Sequence, residues 1–360
     1  MPFSGDETFR LPLASALSLP RDPTDAAWSA NSSIAYVAAM DDLAGIAGTL
    51  GEDEDALAFQ AEADLRRGQT DGLYRLEGGS YGPVIFFRDD ALHPYPFEDV
   101  ATKPLFFGYS DPEDPATLED VDALVSLLMR RDGTLLTPDG IAGRLENPIY
   151  TGMVPGLFMA SVGAVDHPAA PEAFDALALT ASPSGMWQEM HWKDHTTAVA
   201  TYSPSGRGAS EVSARYRPWE GGENVDGLVA FLTGAELNLP SDTLGLSPHL
   251  PTWLDGYVFE GLPLGPEGQY DLEVERIPAP VSTGIWRVTL TPQGQGAHTL
   301  DLRILEPNAA WGEVTVAGQP WSQVQESSPY PGQTRLTLTG IPIEDGAPIV
   351  IEIPYSQGSL

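Results

Sequence analysis

The chain has 360 residues, 42% of them hydrophobic, which is enough for one large domain or two ordinary ones. Acidic residues outnumber basic ones 51 to 18, and the resulting charge of −33 repels phosphate backbones and argues against nucleic-acid binding. With no cysteine, disulfides, thiolate zinc sites and cysteine nucleophiles are excluded, and no apolar run approaches the roughly 20 residues a membrane helix requires.

The chain opens on an acidic motif flanked by aromatics, Phe3-Ser4-Gly5-Asp6-Glu7-Thr8-Phe9-Arg10. Leu11 to Leu19 is apolar but short, and Asp6 and Glu7 stand where a signal peptide carries basic residues. The expectation is a soluble, cytoplasmic chain without a signal peptide. Asp22-Pro23 predicts a helix start, and Ile34, Val37 and Met40 recur at helical spacing through an alanine-rich stretch ending near Gly51. A second helix is expected from Glu52 to Arg67, with Ala56, Phe59 and Ala63 on one side. The short turn between them predicts an antiparallel hairpin.

Asp71 to Pro115 reads as a long loop rich in Gly, Pro and aromatics, the kind of segment that carries function. A third amphipathic helix is expected over Thr117 to Arg131, with Leu118, Val121, Leu124, Val125 and Leu128 on its apolar face. Further helices are predicted over Met153 to Val165, Ala170 to Leu179, Met186 to Thr196 and Gly222 to Leu237. After Leu239 the period changes to alternation. Strands are expected over Tyr270 to Glu275, Ile285 to Leu290, Thr299 to Leu305, Glu313 to Val316, Arg335 to Thr339 and Ile349 to Ile353, separated by turns such as Pro292-Gln293-Gly294. The fold class expected is α+β in two domains: helical hairpins over residues 1–250, then an antiparallel β-sandwich over 251–360.

Three segments carry acids among aromatics. They are the opening motif, Gly185-Met186-Trp187-Gln188-Glu189, and Arg217-Pro218-Trp219-Glu220-Gly221-Gly222-Glu223-Asn224. Paired carboxylates beside Trp, Tyr and Arg suit sugar chemistry, in which one acid protonates the glycosidic oxygen and a second carboxylate acts on water or the sugar. Flat rings meanwhile face the C–H surface of the pyranose.

The order and spacing of these segments, with Asn147-Pro148-Ile149-Tyr150-Thr151-Gly152-Met153-Val154-Pro155-Gly156-Leu157, resemble the C-terminal half of a six-hairpin (α/α)6-barrel glycosidase, as in glycoside hydrolase families 63 and 15. The resemblance spans about Phe3 to Leu264. It implies that the helical hairpins form part of an (α/α)6 toroid. It also implies that Glu189 is the base, that Asp6 or Glu7, with a lean to Glu7, is the acid, and that the reaction inverts. Inversion places the two carboxyl groups about 6.5–9.5 Å apart. A full barrel needs more helices than this chain supplies, so a missing N-terminal half or a second chain is the partner expected to complete it.

Trp187, Trp192, Trp219, Arg217, Glu220, Asn224 and Tyr150 are the expected sugar contacts, with Tyr81 and Tyr95 as further subsite walls. Each has a plainer reading: Glu189 as a first-turn glutamate, Trp219 as a core plug, the tyrosines as loop packing. His191 and His195 stand four apart, but the peptidase motif His-Glu-x-x-His needs a glutamate where Trp192 sits. No organic cofactor and no catalytic metal is expected. The acidic loops could hold a structural Ca²⁺, although no twelve-residue calcium loop is present. The function expected is cleavage of glycosidic bonds in an oligosaccharide. The alternative is a non-catalytic carbohydrate-binding or structural fragment.

Overall fold

The structure, a computed structural model, describes residues 2–3, 27–82, 84–86, 91–92, 102–136, 150–152, 154–182, 185–188, 190–191, 218–238, 241–251, 253–279 and 283–357. Among them the chain is α+β, with seven helices and several mostly antiparallel sheets. It forms two compact units, residues 1–165 with 172–228 and residues 166–171 with 229–360.

In the first unit, strands β1 (Pro2–Phe3) and β2 (Ala27–Ser29) precede helix α1 (Ala30–Leu50). Ser29 caps α1 by accepting from the Ser32 N–H at 3.4 Å, and Gly51 ends it in the left-handed region at φ 77°. The predicted start at Asp22-Pro23 lies outside the described residues. Helix α2 (Asp53–Tyr74) opens on Asp53, Glu54 and Asp55, which suit the positive end of its dipole. It runs a further two turns past Arg67, because Tyr74 is buried with Ile34, Val37 and Ala63. Strand β3 (Val84–Phe86) pairs with β2, so part of the expected loop after Asp71 is ordered structure.

Helix α3 (Lys103–Phe106) follows, then α4 (Pro115–Leu128), where the Ala116 N–H donates to the Asp114 cap at 2.9 Å and Pro115 takes the first helical position. Strands β4 (Leu135–Leu136) and β5 (Tyr150–Thr151) lead into α5 (Pro155–Ala164), which is buried from Pro155 to Gly163, and α6 (Ala170–Thr180). Of the helix expected over Met186 to Thr196, residues 186–188 and 190–191 are described, and they are not helical. Instead Gly185, at φ 73°, closes a turn onto Ser182, and strand β6 (Met190–His191) pairs with β5. Backbone pairing with a strand 40 positions upstream overrides the local helical spacing. Helix α7 (Pro218–Thr233) starts earlier than the expected Gly222 and stops at Gly234. A Cβ there would lie 2.5 Å from the Ser247 carbonyl oxygen.

In the second unit, β7 (Glu236–Asn238) and β8 (Thr243–Leu246) join one sheet, and β9 (Gly256–Pro263), β10 (Glu267–Ala279) and β11 (Thr283–Gln295) join another. Strand β12 (Thr299–Pro307) pairs in parallel with β8 and antiparallel with β13 (Gln333–Pro342); β14 (Ile349–Gln357) pairs with β11. Alternate residues point inward from both sheets: Leu272 and Val274, Val288 and Leu290, Leu302 and Ile304, and Ile351 and Ile353 are all fully buried in one common core. Each such aliphatic side chain contributes roughly 1.5–3 kcal/mol. Asp166 belongs to this unit. Its carboxylate accepts from Arg335 Nε at 2.5 Å and meets His249 Nε2 at 3.2 Å.

Candidate functional site

Three remote segments of the first unit converge at β5. Tyr150 pairs with His191 and Thr151 with Met190, and the Tyr150 ring stacks on the His191 imidazole at 5.8 Å with 13° between planes. The next residue, Gly152, has no room for a side chain: a Cβ would sit 2.2 Å from the Gln188 carbonyl oxygen. Helix α7 closes on the same place. Asn224 is wholly buried, its Oδ1 accepting from the Gly156 N–H at 2.8 Å and its Nδ2 donating to the Gly152 carbonyl at 3.0 Å. Both polar ends of a buried amide are thus satisfied by backbone groups that would otherwise be orphaned. A Cβ on Gly227 would lie 2.2 Å from the Gly156 carbonyl, so α5 and α7 touch backbone to backbone.

Of the residues singled out by the sequence, Trp187 is half-buried and donates from Nε1 to the Leu177 carbonyl at 3.0 Å. Tyr150 is buried, and burial pushes its phenol up. Trp219 and Glu220 fall in the first turn of α7. Glu189, Asp6, Glu7, Trp192, Arg217, Tyr95 and His195 lie outside the described residues. The structure therefore brings together the segments of Tyr150, Trp187 and Asn224.

A second polar site lies beside α2, in a cavity of about 280 Å³. Arg67 and Asp71, one turn apart on α2, and Arg75, the residue that caps its C-terminus, line it with Tyr81, Tyr109 and Asp120. Asp71 Oδ1 accepts from the hydroxyls of Tyr81 at 2.9 Å and Tyr109 at 2.6 Å. Asp120 Oδ1 accepts from Arg75 Nη2 at 2.9 Å and from the Ser80 N–H at 2.6 Å. Arg67 bonds to Asp41 and to the Tyr109 carbonyl, and its guanidinium lies over the Tyr109 ring at 4.7 Å.

Burial raises the Asp120 carboxyl above the ordinary range, against the pull of Ser80 and Arg75. The phenols of Tyr81 and Tyr109 are also raised, by burial first and then by Asp71. Of this set the sequence reading named Tyr81 alone. The recurrence of Arg67, Asp71 and Arg75 every four residues is the available signal, hidden where the helix is expected to end at Arg67. Among the described residues no group of three or more His, Asp or Glu side chains is placed to hold a metal ion.

The chain is thus an α+β protein with a helical unit, a two-sheet unit and two polar junctions in the former. No family model matches it, and no curated protein sequence matches it. Among solved structures it is similar to an alpha-L-rhamnosidase from Dictyoglumus thermophilum, at 11% identity over 88% of this chain and 31% of that one, with a TM-score of 0.45. It is also similar to the native alpha-L-rhamnosidase from Aspergillus terreus, at 13% identity over 76% of this chain and 27% of that one, with a TM-score of 0.44. The chain spans less than a third of the length of either. Both scores lie below 0.5, too low for either likeness to bear on fold detail or chemistry.

Proposed function

We propose that the chain is a glycoside hydrolase module whose helical unit is part of an (α/α)6 toroid and which cleaves an oligosaccharide with inversion. In this reading Glu189 is the base and the Asp6-Glu7 motif supplies the acid. Trp187, Trp192, Trp219, Arg217 and Glu220 face the sugar, while Tyr150 and Asn224 hold the wall behind them. One observation carries it. The Gly152–Gln188 contact and the Asn224 amide gather three segments remote from one another in sequence, two of which carry acids among aromatics. Glu189 directly follows Gln188 in the sequence. Convergence of remote loops on one rigid frame is how catalytic groups are assembled.

The alternative is a non-catalytic fragment, carbohydrate-binding or structural, and a different observation favours its structural form: Trp187 Nε1 and the Asn224 amide are committed to protein partners. One experiment separates the two. The purified chain is offered a panel of aryl glycosides and oligosaccharides, and sugar release is measured beside Glu189→Gln. General base catalysis is worth about 10²–10⁴-fold, so the variant should lose that much rate while still binding. Binding without turnover in both proteins supports a carbohydrate-binding fragment, and neither binding nor turnover leaves the structural one.

A further inference from the structure

The cavity beside α2 belongs to neither reading, and its polar groups are only half committed. Asp71 and Asp120 each take two donors on Oδ1, and neither Oδ2 carries a hydrogen bond among the described residues. A carboxylate offers about four lone-pair sites, so each retains acceptor capacity. Arg75 donates through Nη2 alone, to Asp120 and to the Ala116 carbonyl at 2.9 Å, which leaves Nε–H and Nη1–H. Arg67 uses Nη1 and Nη2 and keeps Nε–H. These groups are held in place. Tyr81 and Tyr109 pin Asp71, and Ser80, a non-glycine residue at φ 68°, presents its N–H to Asp120.

We propose that this cavity binds one small neutral polyhydroxy ring, of the size and chemistry of a monosaccharide or cyclitol. Size allows it: about 280 Å³ is the space of roughly nine waters, just below the range of drug-sized pockets. Charge selects it. The wall carries two guanidinium groups and the carboxylates of Asp71, Asp111, Asp114 and Asp120. An anion meets those carboxylates and a chain of charge −33, whereas a cation meets Arg67 and Arg75. The Tyr109 face that could attract an ammonium already lies under Arg67. A hydroxyl is donor and acceptor at once, and successive hydroxyls on a ring engage Asp71 Oδ2, Asp120 Oδ2 and the free arginine N–H groups together. The site stands whether or not the chain cleaves glycosides.

Calorimetric titration of the full chain with methyl glucoside and myo-inositol, beside the same-sized glucuronate and glucosamine, reads the selection. The neutral rings should bind, with the two charged rings at least tenfold weaker. Ala116→Phe and, separately, Ser110→Phe fill the cavity without removing a charged partner, and each should weaken binding tenfold or more with the circular dichroism spectrum unchanged. Glu189→Gln should leave it intact, which separates this site from the proposed cleavage site. Should both cavity variants fold poorly, the arginine Nε–H resonances of the unaltered chain give the same answer, with Arg75 expected to shift on titration with myo-inositol. Absence of binding by either neutral ring, preference for a charged ring, undiminished binding in the cavity variants, or an unmoved Arg75 resonance would each overturn the proposal.

Discussion

Asn224 and Gly152, 72 positions apart, are joined by a hydrogen bond of 3.0 Å from the buried amide nitrogen to the glycine carbonyl. The same side chain holds the Gly156 N–H, so one amide fixes the end of β5 to the start of α5. Asn224→Ala leaves a buried donor and a buried acceptor without partners, at about 1–3 kcal/mol each. The expected loss is about 3 kcal/mol in denaturant unfolding. Asn224→Asp keeps the acceptor for Gly156 but sets a carboxylate against the Gly152 carbonyl, and should lose a comparable amount. A loss below about 1 kcal/mol in both variants would show that water or a neighbour replaces the amide.

The Asp166 carboxyl gives a pH dependence with a definite sign. Burial alone raises it, but the hydrogen bonds and charges of His249 and Arg335 outweigh burial and hold it below the ordinary value of 3.8. The fold favours the ionised form. Its contribution is therefore present above the unfolded value and is lost as pH falls through the lower folded value. Asp166→Asn removes the buried carboxylate that faces both Arg335 and His249, so the expected loss near neutral pH is about 3 kcal/mol. In urea unfolding the gap between wild type and variant should narrow below about pH 4. A gap that stays constant across that range would assign the loss to packing alone.

Legibility in the sequence followed the range of the deciding interaction. Helix α4 was readable from Val121, Leu124 and Leu128, its buried stripe, whereas its start at the Asp114 cap lies ahead of the expected Thr117 and its end at Leu128 before the expected Arg131. Strands β12 and β14 were readable because Leu300, Leu302 and Ile304, and Ile349, Ile351 and Ile353, alternate without interruption. Strand β6 was not, because Trp187, Met190 and His191 also fit a helical spacing and the choice is made by pairing with Tyr150 and Thr151. Strand β9 escaped because it lies at the edge of its sheet and buries no clear alternating face. The same limit applied to the polar sites. Arg75 and Asp120, 45 positions apart, reveal their cavity only once α2 and α4 are folded together.

Tyr109 supplies the sharpest test of the network around Asp71. Its phenol is raised by burial first, then by the hydrogen bond to Asp71, and Tyr81 is raised by burial and the same carboxylate. The protonated phenol is the form that the fold holds. Its stabilising contribution is complete below the unfolded value near 10 and is lost as pH rises above it. Tyr109→Phe removes one donor from an ionised acceptor, a bond worth about 1.5–3 kcal/mol, so unfolding below about pH 9 should show a loss of about 2 kcal/mol. Phenolate absorbance offers an independent reading. Tyr109 should stay protonated when exposed tyrosines ionise near pH 10, so wild type and Tyr109→Phe should give the same absorbance rise up to about pH 11. A rise smaller in the variant by one tyrosine at about pH 10 would mean that Tyr109 titrates freely and that the pairing with Asp71 does not hold in solution.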